Sequence, residues 1–172
     1  MANSFNSGEI VKLGIQIEKN SRDFYDHASK AVKAEKVGQV FEYISGEEQS
    51  HIAVFESILD RIDESYQPDG NYSVEYAEYL AALIKENVFT QNKQGYEAAR
   101  TIRNDKQALE ISLGIEKDSI LFYNEMKKLL EHGLHGDIDK LIAGEQEHFK
   151  KLSDVLKGFN KFGVGRNRES GL

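Results

Sequence analysis

The chain has 172 residues, 30% of them charged and 40% apolar, with a formal net charge of −7, one Pro and no Cys. That length is most economically one domain that buries a core without covalent staples. The lack of Cys excludes disulfides, thiolate metal sites and thiol nucleophiles, and acidic charge without a basic stripe speaks against nucleic-acid or anionic-membrane partners.

The opening MANSFNSGEI has neither a basic n-region nor an apolar h-region, and the longest apolar runs are about as short as YLAALI. A soluble, cytoplasmic chain with no membrane partner is expected. A helix is predicted over roughly 7–33, with Ser7 as N-cap and an inward seam of Val11, Gly14, Glu18, Ser21, Tyr25, Ala28 and Val32. Steps of four and three from Val37 give a second seam: Phe41, Ile44, Glu48, His51, Phe55, Ile58 and Ile62. The stretch from about 65 to 104 differs in character. It holds the only Pro and an Asp-Gly turn in SYQPDGNYS, followed by VEYAEYLAALIKENVF, which predicts a shorter helix. A fourth helix over 105–131, with Asp105 as N-cap, carries Leu109, Ser112, Glu116, Ser119, Tyr123, Met126 and Leu130 on its seam. HGLHGD at 132–137 predicts a Gly-bearing connection. The last seam runs Ile138, Leu141, Glu145, His148, Leu152, Val155, Phe159 and Phe162, and the Gly-rich polar tail 164–172 is expected to be flexible.

The long helices repeat in pairs. IEKNSRDFY at 17–25 matches IEKDSILFY at 115–123, 98 residues on, and EQSH at 48–51 matches EQEH at 145–148, 97 residues on. Short connections make each pair antiparallel, and a long crossover must join the pairs. The predicted fold is therefore all-α, a ferritin-like four-helix bundle over 1–163 with its crossover at about 65–104.

Each seam turns a carboxylate inward, and two add an imidazole one turn on, since residues three apart share a helix face. Glu18, Glu48, His51, Glu116, Glu145 and His148 form one core layer of four carboxylates and two imidazoles. Without a partner, each such charge costs several kcal/mol to bury, and like charges repel. Two divalent cations neutralise the four carboxylates. A Glu from each of two helices and a Glu-x-x-His from each of two others is the donor set of di-iron and di-manganese carboxylate bundles. Glu-x-x-His alone is a weak signal; position on the apolar seam, repetition at one offset and two further inward Glu make it specific.

Other polar residues have plainer readings. His27, His132 and His135 lie off the pattern, and the last two flank a loop. Glu47 and Glu147 are turned about 100° from their neighbours toward the surface, and Asp23 and Asp118 read the same way. Tyr25 and Tyr123, seven residues beyond Glu18 and Glu116, are candidate catalytic residues. They are either amphipathic core fillers, or donors to a ligand carboxylate, or carriers of a transient radical. Ser21 and Ser119 either orient the neighbouring carboxylates or leave room for an oxygen species.

IEKNSRDFY, GEEQSH, IEKDSILFY and GEQEHF, in that order over about residues 7–160, resemble the rubrerythrin branch of the ferritin-like superfamily. The resemblance implies a non-haem di-iron centre in which Glu18 and Glu116 are terminal ligands, Glu48 and Glu145 bridge, and His51 and His148 hold one iron each. It also suggests a homodimer or larger assembly. Two departures stand out. Rubrerythrins proper carry a further Glu one turn after the third-helix ligand, which exchanges with a His when the iron changes oxidation state; here that place is Ser119. They also usually carry a Cys-rich rubredoxin domain, whereas this sequence has no Cys, so an external electron donor is expected.

The expected cofactors are two Fe ions. Mn also suits these ligands, and Zn is expected to occupy them in some purified samples, because divalent affinities favour it. The expected small substrates are hydrogen peroxide, O₂ or Fe(II). The leading expectation is an enzyme, a peroxidase reducing hydrogen peroxide in oxidative-stress defence. Ferroxidase or iron-handling activity and a metal-stabilised binding module are the alternatives.

Overall fold

The computed structural model describes residues 6–63, 65–66, 73–87 and 89–163, the side chains of 87, 162 and 163 excepted. The expected 164–172 tail and the Pro68–Asp69–Gly70 turn lie outside the described residues, and the expected core side chain of Phe162 is likewise not described.

Among the described residues six α-helices follow one another: α1 Ser7–Ala31, α2 Glu35–Leu59, α3 Val74–Asn87, α4 Gln94–Arg100, α5 Asp105–Lys128 and α6 His135–Gly163. Among the described residues there is no strand. Three residues separate α1 from α2, so the two can only fold back antiparallel. Gly14, early in α1, meets Phe55, late in α2, and the Tyr25 ring, late in α1, lies tilted against that of Phe41, early in α2, with centroids 5.5 Å apart. Gly14 also faces Met126 of α5, and His51 of α2 faces His148 of α6, while Arg61, just beyond α2, pairs with Asp137 at the start of α6. Both cross-pair contacts thus run antiparallel, as a pseudo-two-fold relation between α1–α2 and α5–α6 requires. The chain is all-α with a ferritin-like bundle as its frame, as its seams predict.

The core lies in two apolar blocks, one at each end of the bundle. One contains Ile10, Val11, Phe55, Ile58, Met126, Leu130, Ile138 and Leu141. The other contains Phe24, Tyr25, Phe41, Ile44, Leu109 and Leu152. Between them sits the polar layer, carried by the same four helices.

The repeat reaches into the helix caps, one residue earlier than Ser7 and Asp105 were expected to act. Asn6, not Ser7, caps α1: its side chain accepts from the Glu9 amide at 2.8 Å, and Glu9 accepts from the Asn6 amide at 3.0 Å. Asn104, not Asp105, caps α5 by accepting from the Gln107 amide at 2.9 Å. The two expected caps instead tie one helix pair to the other. The Ser7 hydroxyl donates to the Leu129 carbonyl at 3.2 Å, satisfying an acceptor at the end of α5. Asp105 accepts from the Lys33 and Ala34 amides at 2.9 and 2.7 Å, which anchors the start of α2, where Ala34 offers no side-chain cap.

Two further boundaries differ from expectation. HGLHGD is not wholly a connection: His132–Leu134 form a 3₁₀ turn and α6 begins at His135. The crossover also contains a second helix, α4, beside the expected α3. Close approach holds α4 down, since a Cβ on Gly95 would lie 1.8 Å from the Asn20 carbonyl oxygen. The Asn20 side chain donates to the carbonyls of Phe89 and Gln91 at 2.9 and 2.7 Å and accepts from the Gly95 amide at 3.1 Å. One buried amide thereby fastens the crossover to α1.

Candidate metal centre

The six predicted residues come together. Glu18, Glu48, Glu116 and Glu145 are each at most 1% exposed, His148 is 2% exposed and His51 9%. α1 and α5 supply one carboxylate each; α2 and α6 supply a carboxylate and an imidazole three residues later. Helical spacing places each Glu and its His on one inward face.

The distances divide the set into two overlapping groups. His51 Nδ1 lies 3.6 Å from Glu18 Oε2, 3.1 Å from Glu48 Oε2 and 2.8 Å from Glu145 Oε1. His148 Nδ1 lies 3.6 Å from Glu116 Oε2, 3.5 Å from Glu145 Oε2 and 4.0 Å from Glu48 Oε1. Glu48 and Glu145 therefore each turn one oxygen to each histidine, whereas Glu18 faces only His51 and Glu116 only His148. The donor atoms of Glu18, Glu48, His51 and Glu145 all lie within 4.8 Å of one another, as do those of Glu48, Glu116, Glu145 and His148. The two imidazoles stack with centroids 5.4 Å apart.

Tyr25 and Tyr123 are fully buried and reach across the pseudo-two-fold. The Tyr123 hydroxyl donates to Glu18 Oε1 at 2.5 Å, and the Tyr25 hydroxyl donates to Glu116 Oε1. Of the readings that the sequence left open, both the core-filling and the carboxylate-bonding roles are therefore realised. Ser21 is 1% exposed with its hydroxyl unbonded, and Ser119 is 2% exposed.

The electrostatics are those of a cation site. Burial, with repulsion from Glu145, pushes Glu18 and Glu116 upward, and burial with the charges of Glu145 and Glu18 pushes Glu48 well above the usual carboxylate range. Burial also opposes ionisation of Glu145, but the imidazoles of His148 and His51, 3.5 and 2.8 Å from its oxygens, outweigh it and hold that carboxyl low. For the imidazoles, burial disfavours the proton, yet the surrounding carboxylates win: His51 is raised, and His148 is pushed up to about 9. Burial, then the charge on Glu116 for Tyr25 and on Glu18 for Tyr123, raises both phenols well above their ordinary value.

Three buried donor atoms at the centre, Glu116 Oε2, Glu145 Oε1 and His148 Nδ1, stand at ion-pair distances within the cluster but are left without a well-directed hydrogen bond among the described residues. Such orphans are costly unless something else occupies them. All-oxygen-and-imidazole donors at this spacing suit divalent first-row metals, and the cluster is able to hold metal.

The remaining predicted polar residues stand apart from the centre. His27 is exposed, its Nδ1 2.7 Å from the Asp23 carbonyl oxygen and its ring against Tyr96. His132 is exposed and stacks on the half-buried His135, whose Nε2 lies 2.8 Å from the Leu130 carbonyl oxygen. Glu147 is exposed and bonds Lys151 at 2.6 Å, while Glu47 and Asp23 are half-buried. Asp118 is half-buried where a surface carboxylate was expected, and burial pushes it up to about 6.

Two residues were missed by sequence reasoning. A Cβ on Gly144 would lie 2.6 Å from His51 Nε2, so this glycine makes room for the imidazole. Its position directly before Glu145 in GEQEH was the available signal. Asn20, within the repeated nonapeptide, clamps the crossover. The signal there was its replacement by Asp118 in the second copy.

Residues 9–104 match the family model described as Rubrerythrin, from the first turn of α1 through the crossover to the cap of α5. No curated protein matches the chain significantly, and no solved structure does. No helix among the described residues is long and apolar enough to cross a membrane. With more than half of its length in that match and a buried Glu/His layer contributed by both repeats, the chain belongs to the rubrerythrin family.

Proposed function

We propose that this chain is a non-haem di-iron oxidoreductase that reduces hydrogen peroxide to water in the cytoplasm, using electrons from an external donor. The observation that carries the reading is the double facing of Glu48 and Glu145, each of which offers one oxygen toward either histidine. Glu48 and Glu145 would be shared by two metals, with Glu18 and His51 completing one metal's set and Glu116 and His148 the other's. Two iron ions held this way supply, when bound, a paired source of electrons for a two-electron oxidant.

The protein's own part is to present this donor set dry and preformed. Tyr25 and Tyr123 hold one oxygen of each terminal carboxylate, leaving the other for metal, and the two apolar blocks exclude bulk water above and below the layer. The overall balance is H₂O₂ with two protons and two electrons giving two waters, the electrons coming from the external donor.

A second reading, Fe(II) itself as substrate in a ferroxidase, is favoured by one residue. Ser119 stands where a fifth carboxylate would sit, which leaves a symmetric six-residue set. The test is the protein from iron-replete medium: metal per chain by elemental analysis, then peroxide consumption with a reductant against oxygen uptake with excess Fe(II). Close to two irons and sustained peroxide turnover support the peroxidase. Stoichiometric Fe(II) oxidation with retained ferric iron supports the ferroxidase. Failure to hold two metals after anaerobic reconstitution ends both.

A further inference from the structure

The two repeats are not equivalent beneath the crossover. On the α1 side, Asn20 spends its whole side chain on the crossover main chain. Its counterpart on α5, Asp118, instead lines a half-open pocket of about 210 Å³. The floor of this pocket is Ile17 and Ile115, which directly precede Glu18 and Glu116 in the chain. Its roof is Phe89 and Gln94 of the crossover. Ser119 is shared: it lines the pocket, yet it sits on the inward seam one turn beyond Glu116. Asn20 fixes the roof, because one of its bonds is to the Phe89 carbonyl.

We infer that this pocket is the entry through which a small uncharged oxidant, hydrogen peroxide or dioxygen, reaches the metal pair, with Ser119 as the threshold residue that sets its size. The inference rests on the di-metal reading above. The volume is below the roughly 300 Å³ at which pockets typically take larger organic ligands, so the pocket suits a small molecule better than an organic reductant. Lys85, Glu86 and Asp118 put charge of both signs at this pocket, but Ile17 and Ile115, which adjoin the ligand glutamates in the chain, offer a hydrated cation nothing in exchange for its water, whereas an uncharged molecule loses less. A serine threshold is short and offers a hydroxyl, so a small polar oxidant passes without displacing a side chain. Asn20 is a positioning residue here, acting through the crossover.

Two plugs test the route from opposite sides. Ser119→Leu fills the threshold from the floor, and Gln94→Trp fills the pocket from the half-exposed roof, where folding is less at risk. Crystals of the full chain under xenon pressure should show xenon in the unmodified pocket and none in either variant. Both variants should bind the same number of irons per chain as the parent. Stopped-flow reaction of the preloaded ferrous protein with peroxide, and separately with O₂, should slow by about tenfold or more. Slowing with only one oxidant identifies that one as the molecule using this entry. Full metal content with unchanged rates for both oxidants overturns the entry route and leaves the metal centre standing. Absence of metal in the parent itself overturns the di-metal reading and this inference with it.

Discussion

The Tyr123 hydroxyl, on α5, donates to Glu18 Oε1, on α1, at 2.5 Å, and the pseudo-two-fold returns the contact, with Tyr25 of α1 donating to Glu116 of α5. Each tyrosine follows its own helix's glutamate by two turns but serves the other helix's. Antiparallel packing of α1 on α5 forces this exchange, because a two-fold makes every contact between the related helices reciprocal. Tyr123→Phe should therefore weaken metal binding in the half formed with His51, and Tyr25→Phe in the half formed with His148. Loss of an oriented donor to a ligand typically costs 10–100-fold in affinity. Anaerobic titration with Co(II) should resolve two binding steps in the parent and one weakened step in each variant. Unchanged titrations would reduce both tyrosines to core fillers.

The gathering of the six Glu and His side chains and the fold were legible because they rest on periodicity. The seams repeat every three or four residues, the layer repeats at 98 and 97, and packing had little freedom once those were fixed. What was not legible was decided by contacts between distant segments. Asn6 and Ser7 are both good caps by type, and only the position of the Leu129 carbonyl draws Ser7 away from its own helix. Asp105 is drawn the same way by the unbonded amides at the start of α2. The α4 helix has seven residues, no side-chain cap and Lys93 at a left-handed φ of 68° before it, so no local signal announces it. Tertiary contact between Gly95 and Asn20 supplies what the segment lacks.

Gly144 bears directly on the histidine opposite. Gly144→Ala should displace the His51 ring, since the added Cβ lies 2.6 Å from Nε2 and a buried ring has little room to yield. The expected outcome is about one metal per chain instead of two, with the His148 half retained. Gly46→Ala, whose Cβ meets nothing within 4 Å on exposed α2 surface, is the matched control. It should keep full metal content and gain up to about 1 kcal/mol from helix propensity. Elemental analysis and thermal melts of the two variants check both statements, and a fully loaded Gly144→Ala protein would show that the ring can move aside.

The two bridging candidates should respond oppositely in the metal-free protein. Glu48 is held against its preference for solvent by burial and by the charges of Glu145 and Glu18, so Glu48→Gln relieves a penalty and should stabilise the apoprotein by roughly 1–4 kcal/mol. Glu145 is the carboxylate that both histidines hold ionised, so Glu145→Gln strands them and should destabilise by about 3–5 kcal/mol. Either change should reduce metal content, and Glu48→Ala together with Glu145→Ala should abolish binding of two metals. Denaturant melts of metal-free protein distinguish the signs; a common sign for the two Gln variants would contradict the assignment of charge within the cluster.

Metal-free stability should fall as pH rises. Glu18, Glu48 and Glu116 have folded values raised above the ordinary 4.5, chiefly by burial. Each therefore keeps a proton in the folded state that the unfolded chain has released. Their contribution is complete below pH 4.5 and is lost as pH rises through the folded values. His51 and His148 carry the same sign: despite burial, the carboxylates raise both, and the His148 contribution is complete below 6.5 and lost through about 9. Glu145 runs the other way, its contribution present above 4.5 and lost toward strong acid. The apoprotein should accordingly be most stable near pH 5 and weaken steadily toward pH 9. Divalent metal takes the place of those protons, so its binding releases them and tightens with pH. The gap in Tm between loaded and metal-free protein should widen from pH 5 to pH 9, and melts of both forms across that range test it. A metal-free Tm that rises over the same interval would mean that the buried carboxylates are already ionised and held by something other than protons.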